Sequence, residues 1–326
     1  MSSTTHDTTP VGGPAGVTSS RRRVRFGDVV FQGIALLAAV AAAALLGLLT
    51  YKVIAQAWPA IRYFGLSFIW NDVWNPNSAA FGAASFIFGT IVTSFIALLI
   101  ATPLSIAIAL FLTEIAPKRL VAPIATIVEL LAAIPSVVLG LWGILVFGPW
   151  LNHSLEPWLQ GAFGFLPIFS GPTAQAGVLP AALILTIMIV PIVTALCREI
   201  LSRVPRDLTD GSLALGSTRW EAIRRVALPY AAPGISAAML LGLGRALGEA
   251  IAVTQVIGSQ TGIHMSLFHP GDTLASKIAA TYQGADTQLQ LNSLLYLAAI
   301  LMVISLLTNV VAQSVVARFE KARRLA

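Results

Sequence analysis

Arg245 and Glu249 are the residues best placed to do chemistry in this chain. They stand four apart in GLGRALGEA, within a run, Ile235–Ile257, that is otherwise apolar and long enough to cross a bilayer. On a helix, positions four apart share a face. Turned to lipid, each charge would cost at least about 2.5 kcal/mol. The face is therefore expected to look inward, toward other helices or an aqueous path. Two arrangements satisfy that. In one, the charges neutralise each other as an internal brace, with Glu129 as a further partner. In the other, Arg245 touches an anion in transit, and Glu249 tempers its charge so that the anion can leave. A guanidinium is a planar fork suited to tetrahedral oxyanions. Gly244 and Gly248 form a G-x-x-x-G step, which lets a neighbouring backbone come close.

Other chemistries find little material. Cys197 is the single cysteine, so neither a disulfide framework nor a zinc set is available. Of the histidines, only His264 and His269 share a loop, and they read as solvated residues. No metal site is expected. The chain has no G-x4-G-K-[ST] phosphate loop, so it has no visible means of binding ATP. GLGRALG departs from a dinucleotide fingerprint in its third glycine, and no strand precedes it. The chain itself is expected to hold no cofactor and to catalyse no hydrolysis.

The elements that must position the charges follow from composition. Of 326 residues, 56% are hydrophobic and 10% charged, against about 25% charged in soluble domains. This is the composition of an integral membrane protein in contact with lipid. Six runs qualify as spans: about 29–50, 81–112, 121–147, 178–196, 235–257 and 291–316. They are expected to be helices, because lipid offers the backbone no hydrogen bonds, and they lack the alternation of barrel strands. The expected fold is all-α with six transmembrane helices. A transmembrane domain over 28–318 would lie between a disordered tail, 1–27, and a short tail, 319–326.

The net charge of +6 raises nucleic acid as a partner, but the basic residues follow topology instead. They gather at the N-terminus, after the second span, after the fourth and at the C-terminus. Only Lys52, Arg62 and Lys277 lie in the alternate loops. The positive-inside rule then places both termini in the cytoplasm. RRRVR, Arg21–Arg25, would anchor the first span, and the AQA at Ala55–Ala57 imitates a signal-peptidase site. The apolar run before it, about 22 residues, is too long for a signal h-region, so the helix is expected to stay.

The outer loop 51–80 is aromatic-rich and reads as an interfacial belt with a short lid. Pro103, Pro135 and Pro191 permit kinks within spans. In the outer loop 259–290, Asp272 or Thr273 can cap a short helix ending at Gly284, either on the surface or dipping among the spans.

The inner loop 204–229 carries more structure than a linker needs. Asp207 can cap one short helix, with Asp210 completing a capping box. Gly216 is placed to end it. Thr218 and Glu221 can box a second, which Pro229 would stop. Leu213, Gly216, Trp220, Ile223 and Ala227 make an apolar stripe if helical spacing survives the corner, and Glu221 can pair with Arg225. Such a loop either rests on the membrane surface or docks into a partner.

The loop resembles the E-A-A-x3-G-x9-I-x-L-P signature of ATP-binding-cassette importer permeases. Asp210, Gly211 and Ser212 take the first three positions, Gly216 the glycine, and Val226, Leu228 and Pro229 the end. Further stretches resemble the phosphate-specific permeases of the PstC type: GLGRALGEAIAVTQVIG, WNP with FGAASFIFGT, AAIPSVVLGLWGILVFGP and HPGDTLAS. The resemblance covers about residues 74 to 316. It implies a type I importer permease fold, with the 204–229 loop seated in a groove of an ATPase subunit. It implies a second, homologous permease, two ATPase subunits carrying ATP and Mg, and an extracytoplasmic phosphate-binding protein in a bacterial inner membrane. It also implies inward phosphate movement by alternating access, with Arg245 and Glu249 as the charged pair of the passage. A permease for sulfate or molybdate, an ion-coupled carrier using Arg245, Glu249 and Glu129 as a relay, and a membrane anchor for an ATPase are the alternatives.

Overall fold

The computed structural model describes residues 26–325. The expected tail 1–27 and its RRRVR anchor lie almost entirely outside the described residues. These residues form two units, divided after Thr50. α1 (Phe26–Phe64) begins in the first, where side chains from Val30 to Leu49 are exposed, and ends in the second.

The second unit continues with α2 (Ser67–Trp70) and a hairpin of two short strands, β1 (Trp74–Asn75) and β2 (Ala80–Phe81), paired Trp74 to Phe81. α3 (Ala84–Leu110) runs into a π-helical turn, Phe111–Ile115. α4 (Lys118–Ala133) follows. One helical run then joins α5 (Ser136–Trp142), α6 (Gly148–Trp150) and α7 (Glu156–Phe163) through π turns at Gly143–Phe147 and Leu151–Leu155. α8 (Val178–Ser202) leads to α9 (Arg206–Ala214) and α10 (Arg219–Ala222). A π turn at Ile223–Ala227 passes into α11 (Leu228–Gly248). α12 (Ile251–Val256), α13 (Leu274–Thr281) and α14 (Gln288–Leu325) complete the chain. Among the described residues, six helical runs are long and apolar enough to cross a membrane. The molecule is helical apart from the hairpin, and α14 carries the expected tail from 319 onward as helix.

α8 is the central helix, with 72% of its apolar stretch buried. α3, α4 and α11 pack against it. Ile184, Leu185, Ile189 and Val193 point into the core beside Ala97, Ala101, Val253 and Val256. Outward, large apolar side chains such as Phe95, Leu99, Leu306 and Val310 are exposed. In a bilayer that surface meets a solvent as apolar as itself.

Three spans differ from expectation. The first helix runs on to Phe64 rather than ending near Thr50. The third run, 121–147, is broken: Ile134 and Pro135 are extended, with ψ near 125° and 139°. Proline clashes with an α conformation in the residue before it, and it supplies no N–H. Both sides of the break still track α8 antiparallel. Glu129 meets Arg198, a side chain at Gly143 would meet Ile184, and one at Gly148 would meet the Gln175 carbonyl. Pro103 and Pro191 stay inside unbroken helices. The fifth run ends at Gly248 and restarts at Ile251, so it is two helices.

The aromatic outer loop is a packed cap more than a belt. Phe68 stacks on Tyr296 with centroids 4.4 Å apart, and Trp74 meets Phe81 and Phe86 edge-on at 4.8 and 5.4 Å. α13 dips inward to join this cap, packing on α3 and α14. The approach depends on Gly89, where a Cβ would lie 2.1 Å from the Asp272 carbonyl oxygen.

Gly89→Ala is therefore expected to destabilise the protein by about 1–3 kcal/mol, the usual cost of overpacking. Gly161→Ala, with open space around it, should be neutral or slightly stabilising, as helix propensity favours alanine. Melting points of the two variants in one detergent compare them. An unchanged value for Gly89→Ala would contradict the close approach.

Candidate functional site

Arg245 sits in the last turn of α11, on its exposed side. That is a favourable place for a cation, since the unsatisfied carbonyls of a helix C-terminus carry partial negative charge. Gly242, three residues earlier and so only about 60° around the helix, fixes α11 against α8: a Cβ there would press within 3 Å of Val193 and Ile189. Gly244 and Gly248, the expected G-x-x-x-G contact, have open space instead. Gly242 brings α11 against α8, while Gly244 and Gly248 leave room beside the arginine.

That room is a cavity of about 800 Å³. It is lined by Ile192 of α8, Leu241, Gly244, Arg245, Gly248 and Glu249 of the fifth run, and Asn309 and Gln313 of α14. The arginine and glutamate thus share one cavity, as their spacing suggested, but not as an i,i+4 brace. Glu249 is the residue after the helix, extended at φ −73° and ψ 115°. Its Oε1 accepts from the Ala252 N–H at 3.3 Å, at the start of α12. Among the described residues no ion pair reaches Arg245. Glu129 does not join the site: its Oε1 lies 3.9 Å from Arg198 Nη1, on a different face.

Asn309 and Gln313 were missed by sequence reasoning. Their signal was present, as two amides one helical turn apart in an otherwise apolar run, LLTNVVAQSVV. Neutral amides attract less notice than charges, yet they add donors and acceptors without adding charge. Together with Arg245 they make a wall able to hydrogen-bond an oxyanion. No cluster of three or more metal-ligating side chains occurs among the described residues. His264 and His269 stack at 4.3 Å.

The inner loop folds as two short helices around a glycine corner. α9 ends in a Schellman motif: the Ser217 N–H reaches the Ser212 carbonyl at 3.2 Å, and the Gly216 N–H reaches Leu213 at 3.0 Å. Gly216 takes φ +89°, which costs glycine nothing. Thr218 and Glu221 form the expected capping box, at 3.3 Å (Glu221 N–H to Thr218 Oγ1) and 2.9 Å (Thr218 N–H to Glu221 Oε2). That use of Glu221 replaces the expected ion pair with Arg225. Asp207 does not cap α9. The helix begins at Arg206 behind Pro205, without a side-chain cap.

The predicted stripe divides. Ile223 and Ala227 are buried in the core, whereas Leu208, Leu213, Leu215 and Trp220 are exposed. Asp210 and Gly211 are exposed beside them, and Ser212 is half-buried. Pro229 does not stop the second helix either. The π turn at Ile223–Ala227 lies immediately before it, and α11 carries on through it. A wide turn with shifted hydrogen bonds accommodates a residue that has no N–H to give. Val226 and Leu228 are half-buried in this joint. One helical run of 30 residues, Arg219–Gly248, therefore connects the loop to Arg245, about 45 Å at 1.5 Å per residue.

A six-span helical core, a knobbed inner loop and a polar cavity beside a broken helix define a membrane permease. The family profile for the inner membrane component of binding-protein-dependent transport systems matches residues 101–324. The chain belongs to that family. It is 41% identical to a protein of Mesorhizobium japonicum named phosphate transport system permease protein PstC, over 93% of this chain and 95% of that one. A Pasteurella multocida protein of the same name is 42% identical, over 81% and 84%. A Methanocaldococcus jannaschii protein named as a probable PstC is 37% identical, over 78% and 83%. Among solved structures, a bacterial alginate ABC transporter in complex with its periplasmic protein aligns with TM-score 0.58. That match covers 90% of this chain and 98% of its own at 17% identity, a likeness of fold.

If the cavity holds water, Asn309→Cys and Gln313→Cys will react with a charged thiosulfonate at least about tenfold faster than Val310→Cys, because thiolate and reagent both need water. Val310 is exposed on the outward side of the same helix. Buried Cys197 keeps the background low. Equal rates at all three positions would place the cavity in lipid.

Proposed function

We propose that this chain is the permease subunit of an ATP-driven importer that moves inorganic phosphate into the cytoplasm. The observation that carries the reading is an arginine that has no ionic partner among the described residues and faces a cavity shared with Asn309, Gln313 and Glu249. It occurs in a chain about 40% identical to named phosphate transport permeases. The guanidinium would hold the tetrahedral anion, the amides would complete its shell, and Glu249 would keep the total charge low enough for release.

ATP and Mg would bind on two separate ATPase subunits, with a second, homologous permease completing the passage and an extracytoplasmic binding protein delivering phosphate. The exposed apolar knob of Leu213, Leu215 and Trp220 suits docking into an ATPase groove. Closure of the ATPases would push this loop. Because α10 and α11 form one run, the push would reach Arg245 directly and alternate the cavity's access between the two sides. The distribution of basic residues supports cytoplasmic termini.

Arg245→Gln in the assembled transporter is expected to lower phosphate uptake roughly 100-fold, the loss of about two charge-assisted hydrogen bonds, with subunit recovery unchanged. Wild-type uptake should be competed by arsenate and not by sulfate; competition by sulfate would move the assignment to another oxyanion. Normal uptake by Arg245→Gln would remove the arginine from the passage. Gly216→Leu forces φ +89° on a residue that resists it, straining the corner by about 1–2 kcal/mol. It should abolish stimulation of ATP hydrolysis by the loaded binding protein while the complex still assembles.

A further inference from the structure

Asp272 and Lys277 are charged residues the passage does not use, and both are buried. The Asp272 side chain is 1% exposed and that of Lys277 11%. Their Oδ2 and Nζ atoms lie 3.9 Å apart. Asp272 Oδ1 accepts from the Ser276 hydroxyl and from the Thr273 N–H at 3.1 Å, while Oδ2 has no hydrogen-bond partner. The ammonium sits between two aromatic faces, 5.6 Å from the Trp74 ring and 5.5 Å from that of Phe86. Burial pushes the Asp272 carboxyl up and the Lys277 amine down, and each charge partly offsets the shift of the other. Capping a short helix needs none of this. Thr273 and Ser276 already close the capping box of α13.

Two links tie this cluster to α12. The Gly271 N–H, one residue before Asp272, reaches the Ile257 carbonyl at the end of α12 at 2.9 Å. The Thr254 hydroxyl of α12 donates to the Ala250 carbonyl at 2.7 Å and shares its proton with the Ser276 carbonyl at 3.4 Å. At its other end α12 is held by the Glu249 carboxylate through Ala252. A chain of contacts thus runs from the outer hairpin at Trp74, through Lys277, Asp272 and Ser276, along α12 to Glu249 at the cavity.

We propose that Asp272 and Lys277 are positioning residues, which fix α12 against the outer cap and thereby set where Glu249 stands in the cavity. Removing a buried partner leaves the other charge uncompensated, so α13 loosens and α12 loses its support. The role given to Glu249 rests on the proposed phosphate passage; the placement of Glu249 by the cluster does not.

The test uses the full transporter with its ATPases, purified through this chain and reconstituted. Ala250→Cys, beside Glu249 and half-buried, reports the position of the segment through its rate of modification by a charged maleimide. Gly244→Cys reports the cavity wall on α11. Asp272→Asn and Lys277→Gln should each raise the Ala250→Cys rate at least fivefold and leave the Gly244→Cys rate unchanged. Lys277→Arg should restore it. Uptake should lose at least fivefold in kcat with the KM for the loaded binding protein unchanged. Thr254→Val, which removes the hydroxyl's bonds to Ser276 and Ala250 without touching a charge, should lower kcat likewise, with Thr254→Ser restoring it, and this pair carries the test if the charge variants fail to assemble. Unchanged maleimide rates and kcat in these variants, with only a lower melting point, would overturn the proposal. Loss of wild-type phosphate uptake with the maleimide pattern intact would sink the phosphate reading and leave the positioning role standing.

Discussion

A charge inside an apolar slab must face water or an opposite charge, and the arrangement around Arg245 follows from that constraint. Charge placement at this depth costs about 2.5–3.5 kcal/mol on insertion scales, so α11 can tolerate the residue in only one orientation. Gly242 sets it, packing against Ile189 and Val193. Arg245, about 60° around the helix from that contact, then lies at its edge and opens on the cavity with Ile192, Asn309 and Gln313. Residues 242 to 248 thus divide their labour by face: one glycine for contact, two for space, and one cation for the space.

The same constraint applies to the backbone at Glu249 and Ala250. A helix that stops within a bilayer leaves carbonyls and N–H groups without partners, and lipid supplies none. Irregular backbone at that depth is tolerated where it is buried in protein or lines a wet cavity. Here Glu249 and Ala250 are half-buried and Glu249 lines the cavity. The Glu249 carboxylate satisfies one N–H of α12, and the last turn of α11 presents its carbonyl end beside the arginine. Breaking the helix turns what would be a covered pair into two separately exposed groups.

Much of this architecture was legible before any coordinates. Six apolar runs, the capping box at Thr218 and Glu221, the corner at Gly216 and the placing of Arg245 and Glu249 beside one cavity all follow from local rules of spacing and hydrogen-bond satisfaction. What escaped was non-local or depended on competition. Pro135 breaks its run while Pro103 and Pro191 do not, and residue type alone does not rank them. Pro229 reads as a stop until the π turn ahead of it is seen. Glu249 looked like the second half of an i,i+4 brace because the run reads as one helix. Its carboxylate instead prefers the N–H groups of the helix that follows. Glu129 was grouped with the pair by charge, but Arg198 lies nearer on the neighbouring helix.

The break also separates the two charges mechanically. Arg245 belongs to the run that starts at Arg219 in the inner loop, with no extended residue between them. Glu249 is tied through α12 to α13 and the outer cap. In the alternating-access cycle proposed above, a displacement applied to the loop would move the arginine, while the glutamate would keep the position of the outer layer. Had the helix continued, both charges would travel together at a fixed separation and their mutual screening would be constant. With extended backbone between them, the separation is free to vary in the proposed cycle. At 4 Å and an effective dielectric near 20, a pair of unit charges interacts by about 4 kcal/mol, falling by half when the distance doubles. Doubling the separation thus removes about 2 kcal/mol, enough to change an anion's affinity for the arginine roughly thirtyfold. In the phosphate passage proposed above, such a difference would let the permease accept its cargo from one side and give it up on the other, using two charges on separately held elements and no change in the residues themselves.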